Sequence, residues 1–125
     1  MKIVAPVARV LLALVLLVFG ANGFHQFMPA QLPPGLAGQF LGAILASHFF
    51  IAVAAVMVIG ALLLLFNVYV PLALVLVAPI LVNILLFHLF MNPGGIVPGL
   101  VLSVCWLIVA FRVRPAFAGL FLKKV

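Results

Sequence analysis

The sequence predicts an all-α integral membrane protein, a four-helix bundle formed by one domain over residues 1–125. The first observation behind this is composition: of the 125 residues, 70% are hydrophobic and 5% are charged, and the mean hydropathy is +1.63. Soluble domains carry about a quarter charged residues, so we expect lipid to surround this chain. At about 20 residues per span, the length accommodates four or five spans.

The second observation is a series of apolar runs separated by turn signals. The first span is expected at 4–24, with Pro6 in its first turn, where a missing N–H is tolerated. A break rich in Pro and Gly leads into a short helix at 36–47, either at the membrane interface or as the upper part of the second span. The three later spans are expected at 49–66, 70–91 and 96–112, with turns at 67–69 and 92–95 between them.

The third observation is the placement of charge. The chain has six Lys and Arg and no Asp or Glu. The cations all lie near the two ends of the chain: Lys2, Arg9, Arg112, Arg114, Lys123 and Lys124. Because four spans return the chain to one side, the positive-inside rule predicts that both termini are cytoplasmic. The same pattern argues against a nucleic-acid partner.

The first span contains a cation, Arg9, and its layout is also compatible with a signal peptide. Arg9 lies about one turn inside it, where we expect the side chain to extend to the lipid headgroups. The segment also has the layout of a signal peptide, with Lys2 and Arg9 ahead of an apolar stretch that ends near Gly20. Its length, and the need of the later spans for a packing partner, favour a retained span.

The missing acids and the single cysteine exclude several kinds of chemistry. Without Asp or Glu there is no carboxylate to act as general base, magnesium ligand or intramembrane proton carrier. Cys105 lies inside an apolar run with no second cysteine, and we expect it to be an ordinary buried residue. We therefore expect no catalytic residue and no metal site.

Polar side chains gather at the outer ends of the predicted spans. The candidate ligand-binding residues are Asn22, His25, His48, Asn83 and His88. One interpretation is a shallow pocket for a quinone head group, whose carbonyls accept hydrogen bonds. The other is simple hydrogen bonding between helices or within the headgroup zone, and both stay open. Asn83 and His88 lie about 140° apart on an ideal helix, which disfavours haem or zinc held by all three histidines.

Two further residues are expected to shape the helices. Pro79 lies inside the third span, where it frees the carbonyl of Val75 and is expected to kink the helix just before Asn83. The Asn83 amide is then expected to satisfy backbone or partner-helix groups nearby. Gly60 is expected, like other small residues, to let two helices approach closely.

Two stretches resemble the DoxX-like family of small bacterial membrane proteins. Residues 8–27, ARVLLALVLLVFGANGFHQF, resemble its opening helix, and residues 71–90, PLALVLVAPILVNILLFHLF, resemble its third helix in the spacing of Pro, Asn and FHLF. The resemblance covers about residues 5–112 and implies a four-helix membrane bundle of a bacterial inner membrane. One departure is clear: Met57 stands where the family usually has a glutamate, and Ala54 where a lysine is common.

The resemblance also implies a function, because relatives are linked to membrane redox systems, including a subunit of a thiosulfate:quinone oxidoreductase. We expect a non-catalytic or accessory subunit of a quinone-linked system, with a partner membrane or periplasmic protein carrying the electron chemistry. His88 and Asn83 are the first candidates to donate hydrogen bonds to the head group. Two alternatives stay open: an assembly protein without ligand that binds partner helices or further copies of itself, and a small-molecule transporter, which the missing acids disfavour.

Overall fold

The computed structural model describes residues 2–24 and 32–123, and the regular structure of this part is entirely helical. The α-helices are α1 (Val4–Phe24), α2 (Leu36–Ala46), α3 (Phe49–Leu65), α4 (Val70–Phe90) and α5 (Ile96–Arg112). A 3₁₀ turn, Pro93–Gly95, precedes α5, and a 3₁₀ segment, Arg114–Phe121, follows it. The all-α fold class is confirmed for these residues, and each α-helix begins and ends within one residue of its predicted segment.

Length and composition mark several of these helices as candidate membrane spans. Val4–Phe24, Val70–Phe90 and Pro93–Arg112 have mean hydropathies of 2.4, 2.7 and 2.2 and are each long enough to cross a membrane. α3 has 17 residues and becomes a fourth candidate when it is joined to α2 as one bent span. The described residues therefore contain three candidate spans, or four if the bent pair counts as one.

A sharp bend separates α2 from α3. The two helix axes differ in direction by 82°. His48 lies at the bend in the left-handed conformation, with φ 63°, which ends one helix and starts the next in a new direction. α2 therefore lies across the end of α3 and is not its straight upper continuation.

The four longer helices pack side by side in a closed arrangement. α1 contacts α3 and α5, and α4 contacts the same two helices from the other side. The largest fully buried side chains of the shared core are Leu12, Leu16, Leu64, Leu74 and Val77. The chain runs up α1, down α3, up α4 and down α5, so the start of α1 and the end of α5 lie at the same end.

Glycines allow two of these helix pairs to approach closely. A Cβ on Gly20 would stand 2.8 Å from Val58 Cγ2, at the α1–α3 contact. A Cβ on Gly60 would stand 2.6 Å from Val77 Cγ2, at the α3–α4 contact. Ala54 and Met57 are buried in the α1–α3 contact. Closely packed apolar groups therefore occupy both of these positions.

Arg9 has a different role from the one expected. Its Nη1 donates to the carbonyl of Leu64, and to the carbonyl of Leu65 at 3.2 Å. The last carbonyls of a helix have no partners within the helix, and a cation is favourable near that end. The guanidinium of Arg9 therefore ties α1 to the end of α3, a contact that the sequence did not predict, and its extension to the headgroups stays a prediction.

Candidate functional site

A cleft of about 840 Å³ opens between the five α-helices at the end of the bundle where α4 ends and α5 begins. We call it the aromatic cleft. Its aromatic wall comprises Phe19, Phe40, Phe49, Phe50 and Phe87. Three side chains with hydrogen-bonding groups also line it: Ser47, Asn83 and His88. An apolar cleft of this size with a few polar groups has the usual character of a small-molecule site.

His88 presents one ring nitrogen to the cleft region. Its Nδ1 lies 2.8 Å from the carbonyl oxygen of Ile84 and donates to it, since a carbonyl oxygen can only accept. In the neutral ring Nε2 is then an acceptor. The Nε2 edge lies against Gly95, where an added Cβ would stand 3.1 Å from that nitrogen. His88 therefore offers an acceptor, and not the donor that the sequence suggested.

Asn83 supplies the complementary group. Its Nδ2 donates to the carbonyl oxygen of Pro79 at 3.0 Å, which is the backbone contact expected beside the proline. An amide nitrogen carries two hydrogens, so one N–H and the side-chain oxygen remain for a ligand. Asn83 is exposed and lines the aromatic cleft. A donor on Asn83 and an acceptor on His88 thus border the same apolar space.

Aromatic contacts hold the His88 side of the cleft in place. Phe87 stacks on Phe40 with centroids 5.6 Å apart and planes at 29°, which links α4 to α2. The His88 ring meets the Phe87 ring edge to face at 5.1 Å. Offset and edge-to-face arrangements are the favourable ones for such rings. The position of α2 and the orientation of His88 are consequently coupled through Phe87.

Two other predicted ligand-binding residues, Asn22 and His48, are not brought to this cleft. Asn22 is half-buried near the end of α1 and does not line it. His48 is exposed at the α2–α3 bend, and its neighbour Ser47 lines the cleft instead. His25 lies outside the described residues. Within the described part of the chain, no three His, Cys, Asp or Glu side chains are close enough together to hold a metal ion.

Ser47 and Phe40 are lining residues that the sequence did not indicate. The Ser47 hydroxyl donates to the Ile44 carbonyl at 3.3 Å and accepts from the Phe49 N–H at 3.4 Å, so it sits within the bend. Which of Ser47 and His48 faces the cleft depends on the 82° angle between the helices. Local sequence carries no signal for that angle.

A second unexpected contact stabilises α4 beside its proline. The indole Nε1 of Trp106 donates to the carbonyl oxygen of Leu74 at 2.9 Å. This carbonyl lies one residue before that of Val75, which loses its helical partner because Pro79 has no N–H. α5 is therefore hydrogen-bonded to α4 where the α4 ladder is interrupted.

Comparison with models of known protein families, with curated proteins and with solved structures finds no match for this chain. The resemblance to the DoxX-like family therefore stays a prediction from the sequence. What the chain does must be inferred from the aromatic cleft together with that prediction.

Proposed function

We propose that the chain is a four-helix bundle of the bacterial inner membrane, with α1, α3, α4 and α5 as its spans and both termini cytoplasmic. Large apolar side chains on the outward faces support this, such as Phe90 and Leu107, which are 74% and 61% exposed. Exposing such side chains to water would cost about 25 cal/mol per Å², whereas lipid accepts them. Arg112 ends α5 and Arg114 follows it, at the end of the bundle where α1 begins, which agrees with the positive-inside rule for cytoplasmic termini.

We further propose that the aromatic cleft binds the head group of a quinone. The observation that carries this is the pairing of the Asn83 donor with the His88 acceptor in an otherwise apolar, aromatic cleft. A quinone carbonyl accepts from the Asn83 amide, and a hydroxyl of the reduced quinol donates to Nε2 of neutral His88. The ring packs beside Phe40 and Phe87, and the isoprenoid tail leaves towards the lipid.

In this proposal the chain is an accessory subunit. It holds a quinone for a partner membrane or periplasmic protein, which carries the electron chemistry, as the DoxX-like resemblance implies. Ser47 is placed to make a further polar contact with the head group.

The assembly alternative is less well supported by the packing. It relies on small-residue faces that are open to partner helices. Gly20 and Gly60 instead lie in the α1–α3 and α3–α4 contacts within the chain. Those two positions are therefore occupied by the protein's own helices.

Titration of the full chain in mild detergent with a decyl-substituted benzoquinol, kept reduced, tests the proposal, because its hydroxyls can accept from the Asn83 amide and donate to Nε2 of His88. We expect saturable binding that weakens about fivefold or more in both His88→Ala and Asn83→Ala, since each loses one hydrogen bond worth about 1 kcal/mol. Ser103→Ala is the matched control: the Ser103 hydroxyl also bonds a carbonyl four residues earlier, at 2.8 Å, and does not line the cleft. Equal affinity in all four proteins would contradict the proposal.

A further inference from the structure

A second apolar groove, of about 1180 Å³, lies on the outside of the bundle between α4 and α5. We call it the α4–α5 groove. Its α4 side is a helical stripe of residues spaced three and four apart: Val75, Ala78, Pro79, Val82 and Asn83. Trp106 and Phe111 form the α5 side, and side chains of the 3₁₀ segment such as Phe117 close the lower end. The groove is open along its length to the surroundings of the bundle.

One cation stands at the lower end of this groove. Arg114 lines it, with its guanidinium carbon 4.2 Å from the centre of the Phe111 ring. Its Nη1 donates to the Phe111 carbonyl at 2.8 Å. This bond fixes the guanidinium and leaves most of its N–H donors available. Because the chain has no Asp or Glu, no side-chain carboxylate of its own can neutralise this charge.

The dimensions of the groove match one leaflet of a bilayer. Its α4 side extends from Val75 to Asn83, eight residue steps or about 12 Å at 1.5 Å per residue. One leaflet contributes about half of a hydrocarbon core of roughly 30 Å. With the termini cytoplasmic, Arg114 lies at the level of the inner headgroups and Asn83 towards the middle of the membrane.

We propose that the α4–α5 groove holds an acyl chain of an anionic phospholipid from the inner leaflet, with the lipid phosphate bound by Arg114. Charge complementarity selects this occupant: the apolar groove ends at an arginine, and the chain has no Asp or Glu to pair with it. The planar guanidinium binds phosphate oxygens in pairs, which suits it to this role. The inference rests on the proposed membrane placement but not on the ligand of the aromatic cleft.

Trp106 makes the proposal directly measurable. It is the only tryptophan of the chain, it lines the groove, and its indole is held by the bond to Leu74. Phospholipids brominated on an acyl chain quench a tryptophan that they touch. The full chain is reconstituted in phosphatidylcholine vesicles, and quenching by small fractions of brominated phosphatidylglycerol is compared with quenching by brominated phosphatidylcholine.

We expect the relative association constant to favour brominated phosphatidylglycerol by about fivefold, the preference that one basic residue near the surface provides. Arg114→Gln is expected to reduce this ratio to near one. Arg112→Gln removes the same charge two residues away, from a residue that does not line the groove, and is expected to keep most of the preference. A wild-type ratio near one, or an equal loss in the two variants, would overturn the proposal.

A second variant tests the apolar part without changing charge. Ala78→Phe fills the groove midway along its α4 side. We expect it to lower the quenching of Trp106 by brominated phosphatidylglycerol, and with it the ratio of the association constants for phosphatidylglycerol and phosphatidylcholine. An unchanged ratio in correctly folded Ala78→Phe protein would overturn the placement of the lipid acyl chain in the groove. Since Ala78, Arg112 and Arg114 do not line the aromatic cleft, a failure here is distinguishable from a failure to bind quinone.

Discussion

His88 can meet a ligand through only one edge of its ring. Its Nδ1 is bound to the Ile84 carbonyl, and its Nε2 edge faces Gly95. The absence of a side chain at Gly95 is what leaves room beside that nitrogen. Gly95 has φ −105°, a conformation that alanine adopts without strain, so a substitution there acts through space alone.

Gly95→Ala is therefore expected to weaken binding of the decyl-substituted benzoquinol by about fivefold, the equivalent of one lost hydrogen bond. The added methyl would stand 3.1 Å from Nε2 and compete with the ligand for the same position. Gly94→Ala is the control, because no atom lies within 4 Å of the position that its Cβ would take. Titration of both variants measures the difference, and an identical affinity for the two would argue against His88 as a ligand contact.

At the scale of single residues, the sequence located the polar candidates but not their surroundings. Asn83 and His88 both line the cleft, although an ideal helix sets them about 140° apart. A cleft bordered by several helices can be lined from both sides of α4, which helical geometry alone does not reveal. The bond between Arg9 and the end of α3 joins residues 55 apart in the chain, and no local pattern predicts it.

At the scale of helices, the boundaries followed from signals that act locally. Apolar runs, separated by Pro, Gly or other polar and turn-forming residues, defined each helix to within a residue. The bend between α2 and α3 did not follow, because the left-handed conformation of His48 is unusual for a residue with a side chain. The Trp106 bond to α4 likewise depends on how α5 packs, and not on its own sequence.

The contact between α3 and α4 provides a test of helix packing. Gly60→Ala is expected to lower the free energy of unfolding by about 1–3 kcal/mol, since its Cβ would stand 2.6 Å from Val77 Cγ2. Adding Val77→Ala vacates that space, so we expect the double variant to be less destabilised than the sum of the two single ones, by about 0.5–3 kcal/mol. Unfolding titrations in detergent measure all three proteins.

Gly42→Ala serves as the control for this cycle. Its added Cβ would meet Leu32 Cδ1 at 3.8 Å, an ordinary contact, so its effect should add to that of Val77→Ala without coupling. Strict additivity between Gly60→Ala and Val77→Ala would show that the two helices are not packed as described.

At the scale of the whole molecule, the up-and-down path of the chain predicts which turns share a side. The 3₁₀ turn before α5 lies at the end opposite to the 3₁₀ segment after it. In the proposed orientation the turn faces outwards and the segment lies in the cytoplasm. Gly94 and Gly119 are open positions in these two places, with no atom within 4 Å of an added Cβ.

Cysteine labelling tests this orientation. In a Cys105→Ala background, we expect Gly94→Cys to react with a membrane-impermeant maleimide in intact spheroplasts. Gly119→Cys should react only after the membrane is opened, because the positive-inside rule keeps the segment next to Arg114 inside. Labelling of both positions from outside, or of Gly119→Cys alone, would rule out the proposed topology.

The most direct measurement for the proposed function is the identity of the small molecules that the protein retains. The full chain is extracted gently from membranes that contain isoprenoid quinones, and the bound lipids are analysed by mass spectrometry and visible absorbance. We expect a quinone at a substantial fraction of one molecule per chain in the wild type, and several-fold less in the His88→Ala and Asn83→Ala proteins. Folded wild-type protein that carries no quinone, or as much quinone in those variants as in the wild type, would contradict the proposal.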